Sequence, residues 1–183
     1  MSYLVLIAGV ALWSAAHLFK RVAPDLRAGM GEAGKGLVAL ALLVSLALMV
    51  LGYRGTDPAI LWSPPAFLRH VNNLLMLVSV WLFIASVMKL GVTRRVRHPQ
   101  LTAVKTWALA HLLVRGDLAS LILFGGLLAW AVAEVIVINR ATPRPAPPPP
   151  AGAAKEAAGA GVALVAYAAI GWVHGWLGYW PFG

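Results

Sequence analysis

The chain contains no cysteine. Disulfides, iron–sulfur clusters and thiolate metal sites are therefore excluded. Acidic side chains are nearly as scarce, with six Asp and Glu in 183 residues, so carboxylate-based acid–base catalysis has little to draw on. Charged residues of both signs make up 11% of the chain, against about 25% in soluble domains. No Gly-rich nucleotide loop, zinc motif or hydrolase triad is visible. The first apolar run has no basic stretch ahead of it and no small-residue cleavage site behind it. It is expected to be a retained span rather than a removable signal.

What the chain does have is apolar length. Hydrophobic residues make up 61%, and the mean hydropathy is +0.80. Such a chain needs lipid as its solvent, and lipid admits only helices or closed barrels. The apolar runs are continuous rather than alternating, which selects helices. The pattern predicts an all-α, polytopic transmembrane helix bundle of about six spans. These run from about Ser2 to Phe19, Gly36 to Tyr53, Phe67 to Met88, Pro99 to Val114, Asp117 to Ile138, and Ala157 to Trp176. The fourth is short and contains Lys105. In Arg115-Gly116-Asp117, Gly116 permits a reversal and Asp117 can cap the next helix. The expected organisation is a five-span core over 1–140, a Pro-rich cytoplasmic linker over 141–156, and a C-terminal transmembrane helix over 157–183. Prolines keep the linker extended and free of helix.

The net charge of +9 points to nucleic acid only until the charges are placed. The loops after spans one, three and five hold Lys20, Arg21, Arg27, Lys35, Lys89, Arg94, Arg95, Arg97, Arg140, Arg144 and Lys155. The opposite side holds Arg54, Arg69 and Arg115. That imbalance makes the first group cytoplasmic and predicts both termini on the outer side. Trp172, Trp176, Tyr179, Trp180 and Phe182 then form an outer interfacial belt.

Ionisable groups inside spans are costly and point to function. The residues of this kind are His17, His70, His98, Lys105, His111, Glu134 and His174. Lys105 can snorkel to the cytoplasmic face, Glu134 can pair with a basic residue, and His174 sits among interfacial aromatics. His17 follows Trp13 by four residues, and His111 follows Trp107 by four. His111 is the deepest by sequence, about 20 Å along its helix from His98. Several histidines on different spans, without cysteine, suit a haem held between helices. Depth alone pairs His17 with His98, or His70 with His111.

Arg97-His98-Pro99-Gln100, Trp107 through Leu113, Gly116 through Ser120, and Phe124-Gly125-Gly126 together resemble the NnrU family. Ala16-His17-Leu18 and His70 fit the same pattern, and the resemblance covers the whole chain. It implies a bacterial inner-membrane protein associated with denitrification, around nitrite and nitric oxide reduction. The family is similar to the plant 15-cis-zeta-carotene isomerase, a membrane enzyme that uses haem b. By that similarity His17 and His111 are the expected axial ligands, with His70 and His98 as alternates. The isomerase has a Cys three residues before its second ligand. Here that position is Ala108, which removes any thiolate from the site and weakens the case for carotenoid isomerisation.

Three functions follow as expectations. The first is a haem b protein with isomerase-like or redox activity on a lipophilic substrate. The second is a non-catalytic assembly or regulatory factor for nitrite and nitric oxide reductases, working through helix contacts at Gly125, Gly126, Gly159 and Gly161. The third is a membrane methyltransferase, because Arg97-His98-Pro99 also looks like the RHP element of isoprenylcysteine and phospholipid methyltransferases. Those enzymes carry an acidic pair near the cofactor, whereas Glu134 and Glu156 are not adjacent here.

Overall fold

The computed structural model describes residues 1–182 and is helical almost throughout. Seven helices are present among the described residues: α1 (Ser2–Val22), α2 (Pro24–Gly29), α3 (Gly31–Arg54), α4 (Leu68–Met88), α5 (Pro99–Val114), α6 (Leu118–Ala141) and α7 (Ala153–Trp176). Five of them, α1, α3, α4, α6 and α7, are long and apolar enough to cross a membrane. The chain is a multi-pass membrane protein. The fourth expected span, α5, has only 16 residues. At 1.5 Å per residue it covers about 24 Å, short of the roughly 30 Å hydrocarbon core. Leu4, Leu43, Leu51, Val87 and Val165 are between 62% and 71% exposed, as expected of side chains whose solvent is lipid.

The chain divides into two compact units. The first comprises Met1–Ser63 and Arg115–Thr142. Here α1 packs along α3 and also against α6. Lipid-facing helices gain little from hydrophobic burial against one another, so close backbone approach supplies the packing. A Cβ on Gly52 would stand 2.5 Å from the Leu6 nitrogen, and one on Gly9 would stand 2.8 Å from the Met49 nitrogen. Only glycine permits these contacts. Gly126 on α6 takes Val10 in the same way. Asp117 caps α6 as expected: its Oδ1 accepts from the Ser120 backbone at 2.8 Å, and its Oδ2 accepts from the Ser120 hydroxyl at 2.8 Å. The Ser120 hydroxyl in turn accepts from Tyr53 at 2.8 Å. The loop after α3 is stitched to this corner by backbone bonds from Leu61 to Gly116 and from Leu118 to Ala59. Within α6, Leu121–Gly125 winds as a π turn.

The second unit begins at Pro64, runs to Val114, and resumes at Pro143. Its central helix α4 contacts both α5 and α7. The Ser79 hydroxyl donates to the Ala103 carbonyl at 2.8 Å, and small residues on α5 such as Ala103, Ala108 and Ala110 are buried. Helix α4 ends at Lys89 in a left-handed conformation, φ 54°. The chain then turns through Gly91–Arg94, a short 3-10 segment. Glu156 on α7 accepts from the Gly91 backbone nitrogen at 2.6 Å. Residues 143–152 carry no helix. They are held by Arg144, which donates to the Arg94 and Arg95 carbonyls at 3.1 and 2.8 Å. The final span starts at Ala153, a few residues earlier than its hydrophobicity indicates.

Candidate functional site

In the first unit, His17 lies near the end of α1 between two indoles. Its ring centroid is 4.2 Å from Trp13 and 4.6 Å from Trp130 on α6, and the two indoles meet edge-on at 5.5 Å. Its Nδ1 donates to the Trp13 carbonyl at 3.0 Å. The four-residue helical spacing makes this bond possible, and it fixes the tautomer: the neutral ring keeps its lone pair on Nε2.

Beside His17 is a cavity of about 330 Å³, also lined by Lys20, Arg27, Lys35, Val38, Ala39 and Leu42. Three cations from α1, α2 and α3 therefore converge above an apolar wall. Arg27 donates to the Gly31 carbonyl at 3.2 Å, and Gly34 leaves room for its guanidinium, since a Cβ there would lie 2.7 Å from Nη1. Lys35 is paired with Glu32 at 2.7 Å, and both are largely exposed. Glu134 stands one helical turn beyond Trp130. It is 7% exposed, and among the described residues it forms no salt bridge and its Oε2 has no hydrogen-bond partner. The ion pair anticipated for Glu134 is not formed. The indole nitrogens of Trp13 and Trp130 are also buried without an acceptor.

The other three candidate histidines belong to the second unit. His70 is exposed at the start of α4. His98 precedes α5, and its carbonyl accepts from the Thr102 nitrogen at 2.8 Å. His111 repeats the His17 geometry: Nδ1 donates to the Trp107 carbonyl at 2.9 Å, with ring centroids 5.1 Å apart. It lines a small cavity of about 60 Å³ with Asn72, Asn73, Tyr167 and His174. Neither His70 nor His98 lines that cavity. The structure thus groups His111 with His174, which the sequence reading had assigned to the interface. The available signal was the stripe Tyr167, Ile170, Gly171 and His174, which falls on one helical face. No group of three or more His, Asp or Glu able to hold a metal ion occurs among the described residues.

Glu134 lies in the first unit, while Glu156 lies in the second and is already bonded to Gly91.

These features define a class: a multi-pass helical membrane protein whose units each carry a tryptophan–histidine clamp beside a cavity. The family model described as "NnrU protein" matches residues 5–181. The chain belongs to the NnrU family. No curated protein and no solved structure matches it.

Proposed function

We propose that this NnrU protein binds haem b in the membrane and serves redox or isomerase-like chemistry linked to nitrite and nitric oxide reduction. We place it in the bacterial inner membrane with both termini periplasmic, following the distribution of its basic residues. The observation that carries the reading is the clamped His17 beside a cavity with a cationic rim.

The residues fit the group. His17 offers a neutral Nε2 fixed by its backbone bond, Val38, Ala39 and Leu42 offer an apolar wall, and Lys20, Arg27 and Lys35 complement two propionate carboxylates. His111, the second ligand implied by the family resemblance, carries the same clamp in its own unit. Bound haem supplies one-electron iron chemistry. The chain's own part is to orient the imidazole, exclude water and counter the carboxylates.

The test is an absorption spectrum of detergent-purified, haem-supplied protein, oxidised and then dithionite-reduced. A Soret band with sharp reduced bands is expected, lost in His17→Ala and in His111→Ala. Arg27→Gln should retain the bands and weaken haem retention. A featureless spectrum from folded protein would overturn the reading and return the function to assembly of the reductases.

A further inference from the structure

The second unit contains a feature that the haem reading does not use. A cavity of about 340 Å³ lies among α4, α5 and α7, lined by residues such as Val80, Phe83, Ile84, Val104 and Ala166. It is more than twice the roughly 150 Å³ of an engineered cavity that accepts benzene. Its lining is almost wholly apolar. The Ser79 hydroxyl hydrogen is already given to the Ala103 carbonyl. The smaller cavity shares Met76, Ile170 and His174 with the larger one and is lined by polar groups. An apolar slot therefore adjoins a chamber that adds Asn72, Asn73, His111 and Tyr167 to an otherwise apolar lining, and His174 lines both.

The hydrogen-bond inventory of the chamber has a sign. Asn73 Nδ2 donates to the Pro181 carbonyl at 3.1 Å, and the Tyr167 hydroxyl donates to the Asn73 carbonyl at 3.2 Å. Asn72, with its amide oriented to satisfy both ends, donates to the Ala110 carbonyl at 3.0 Å. His174 Nδ1 donates to the Ile170 carbonyl at 2.8 Å, which leaves an acceptor lone pair on Nε2 of the neutral ring. The single hydrogens of the Tyr167 hydroxyl and of His174 Nδ1 are thus spent on carbonyls. His174 Nε2 and the Tyr167 oxygen therefore face a ligand as acceptors. Phe182 closes the chamber, its ring 5.7 Å from Tyr167, in space that a side chain on Gly171 would fill.

We infer that this unit binds a membrane-soluble phenol or alcohol, with its apolar body in the slot and its hydroxyl donating to His174 Nε2. Acceptors at the end of an apolar cavity select a ligand that brings a proton and penalise one that brings only lone pairs.

The probes are para-decylphenol and its methyl ether, titrated calorimetrically into the protein in phosphatidylcholine nanodiscs. The two share an apolar body and differ in the donor. Wild type should bind the phenol about tenfold more tightly, or about 1.4 kcal/mol. His174→Leu should lower the phenol affinity to that of the ether, and His174→Gln, which supplies an acceptor, should restore part of the difference. Ala166→Phe, which fills the slot, should weaken both ligands. Equal affinities in wild type would overturn the inference and leave the slot to lipid acyl chains. Unchanged binding of both probes in Ala166→Phe would overturn it as well, by placing them elsewhere.

Discussion

Each compact unit has a helix in which tryptophan precedes histidine by four residues, and in each the histidine Nδ1 is bonded to that tryptophan's carbonyl. The settings then diverge. His17 is wedged between two indoles beside a cavity rimmed by Lys20, Arg27 and Lys35. His111 shares a small chamber with Asn72, Asn73, Tyr167 and His174, next to an apolar slot. The local motif settles which ring nitrogen is presented. The neighbouring helices settle what it is presented to. One sequence signature thus stands beside a cavity with a cationic rim in one unit and in a small chamber next to an apolar slot in the other.

The packing differs as well, and five substitutions sharpen that contrast. The largest effect is expected from Gly52→Leu, because a side chain there meets the α1 backbone, which cannot move aside. A loss of about 3 kcal/mol is expected from overpacking, read by thermal unfolding in detergent. Gly161→Leu on α7 has nothing within 4 Å and should stay within about 0.5 kcal/mol of wild type. Equal losses in the two variants would mean that the α1–α3 seam is not the rigid part of the first unit.

Next in size is Asp117→Ala. It removes the cap of α6 and the acceptor of the Ser120 hydroxyl, which is fully buried. About 2 kcal/mol should be lost, from a cap and a buried hydrogen bond together. Tyr53→Phe, which deletes only the outer link of the same chain, should cost less, and a reversed order would show that the network is not anchored at Asp117. A smaller loss belongs to the corresponding corner of the second unit. Glu156→Gln keeps an acceptor for Gly91 but removes its charge, so about 1 kcal/mol should be lost. Hydrogen exchange at the Gly91 amide is the direct readout, and unchanged protection there would contradict it.

Much of the fold is legible in the sequence because lipid imposes a simple requirement. Long apolar runs ended by Arg and Lys locate α1, α3, α4, α6 and α7 closely, and Asp117 announces the start of α6. The division into units is not legible, because it depends on which helices touch. Gly9, Gly52 and Gly126 look like any other glycines until the opposing backbone is known. For the site, the Trp–His spacing was visible, but its consequence for the ring nitrogens required the carbonyls to be placed. His174 was read as an interfacial residue because the terminal aromatics mask it. Its role emerges only when the chain folds back after Gly178, at φ 88°, and brings Phe182 against Gly171. Glu134 invited an ion pair by its position in sequence, yet no cation comes within bonding reach.

The π turn at Leu121–Gly125 has a consequence for insertions and deletions in α6. A helix advances about 100° per residue, and a π turn absorbs one extra residue without lengthening the element by a full step. Asp117 and Ser120 before the turn, and Trp130 and Glu134 after it, therefore keep the angular relation of an unbroken α-helix one residue shorter. Removing one residue from the turn would let it relax to an α turn, leaving the cap intact and Trp130 against His17, whereas removing one from the α-helical stretch between the turn and Trp130 would rotate Trp130 off His17. For α6, where a residue is gained or lost between cap and indole decides whether the indole still meets His17.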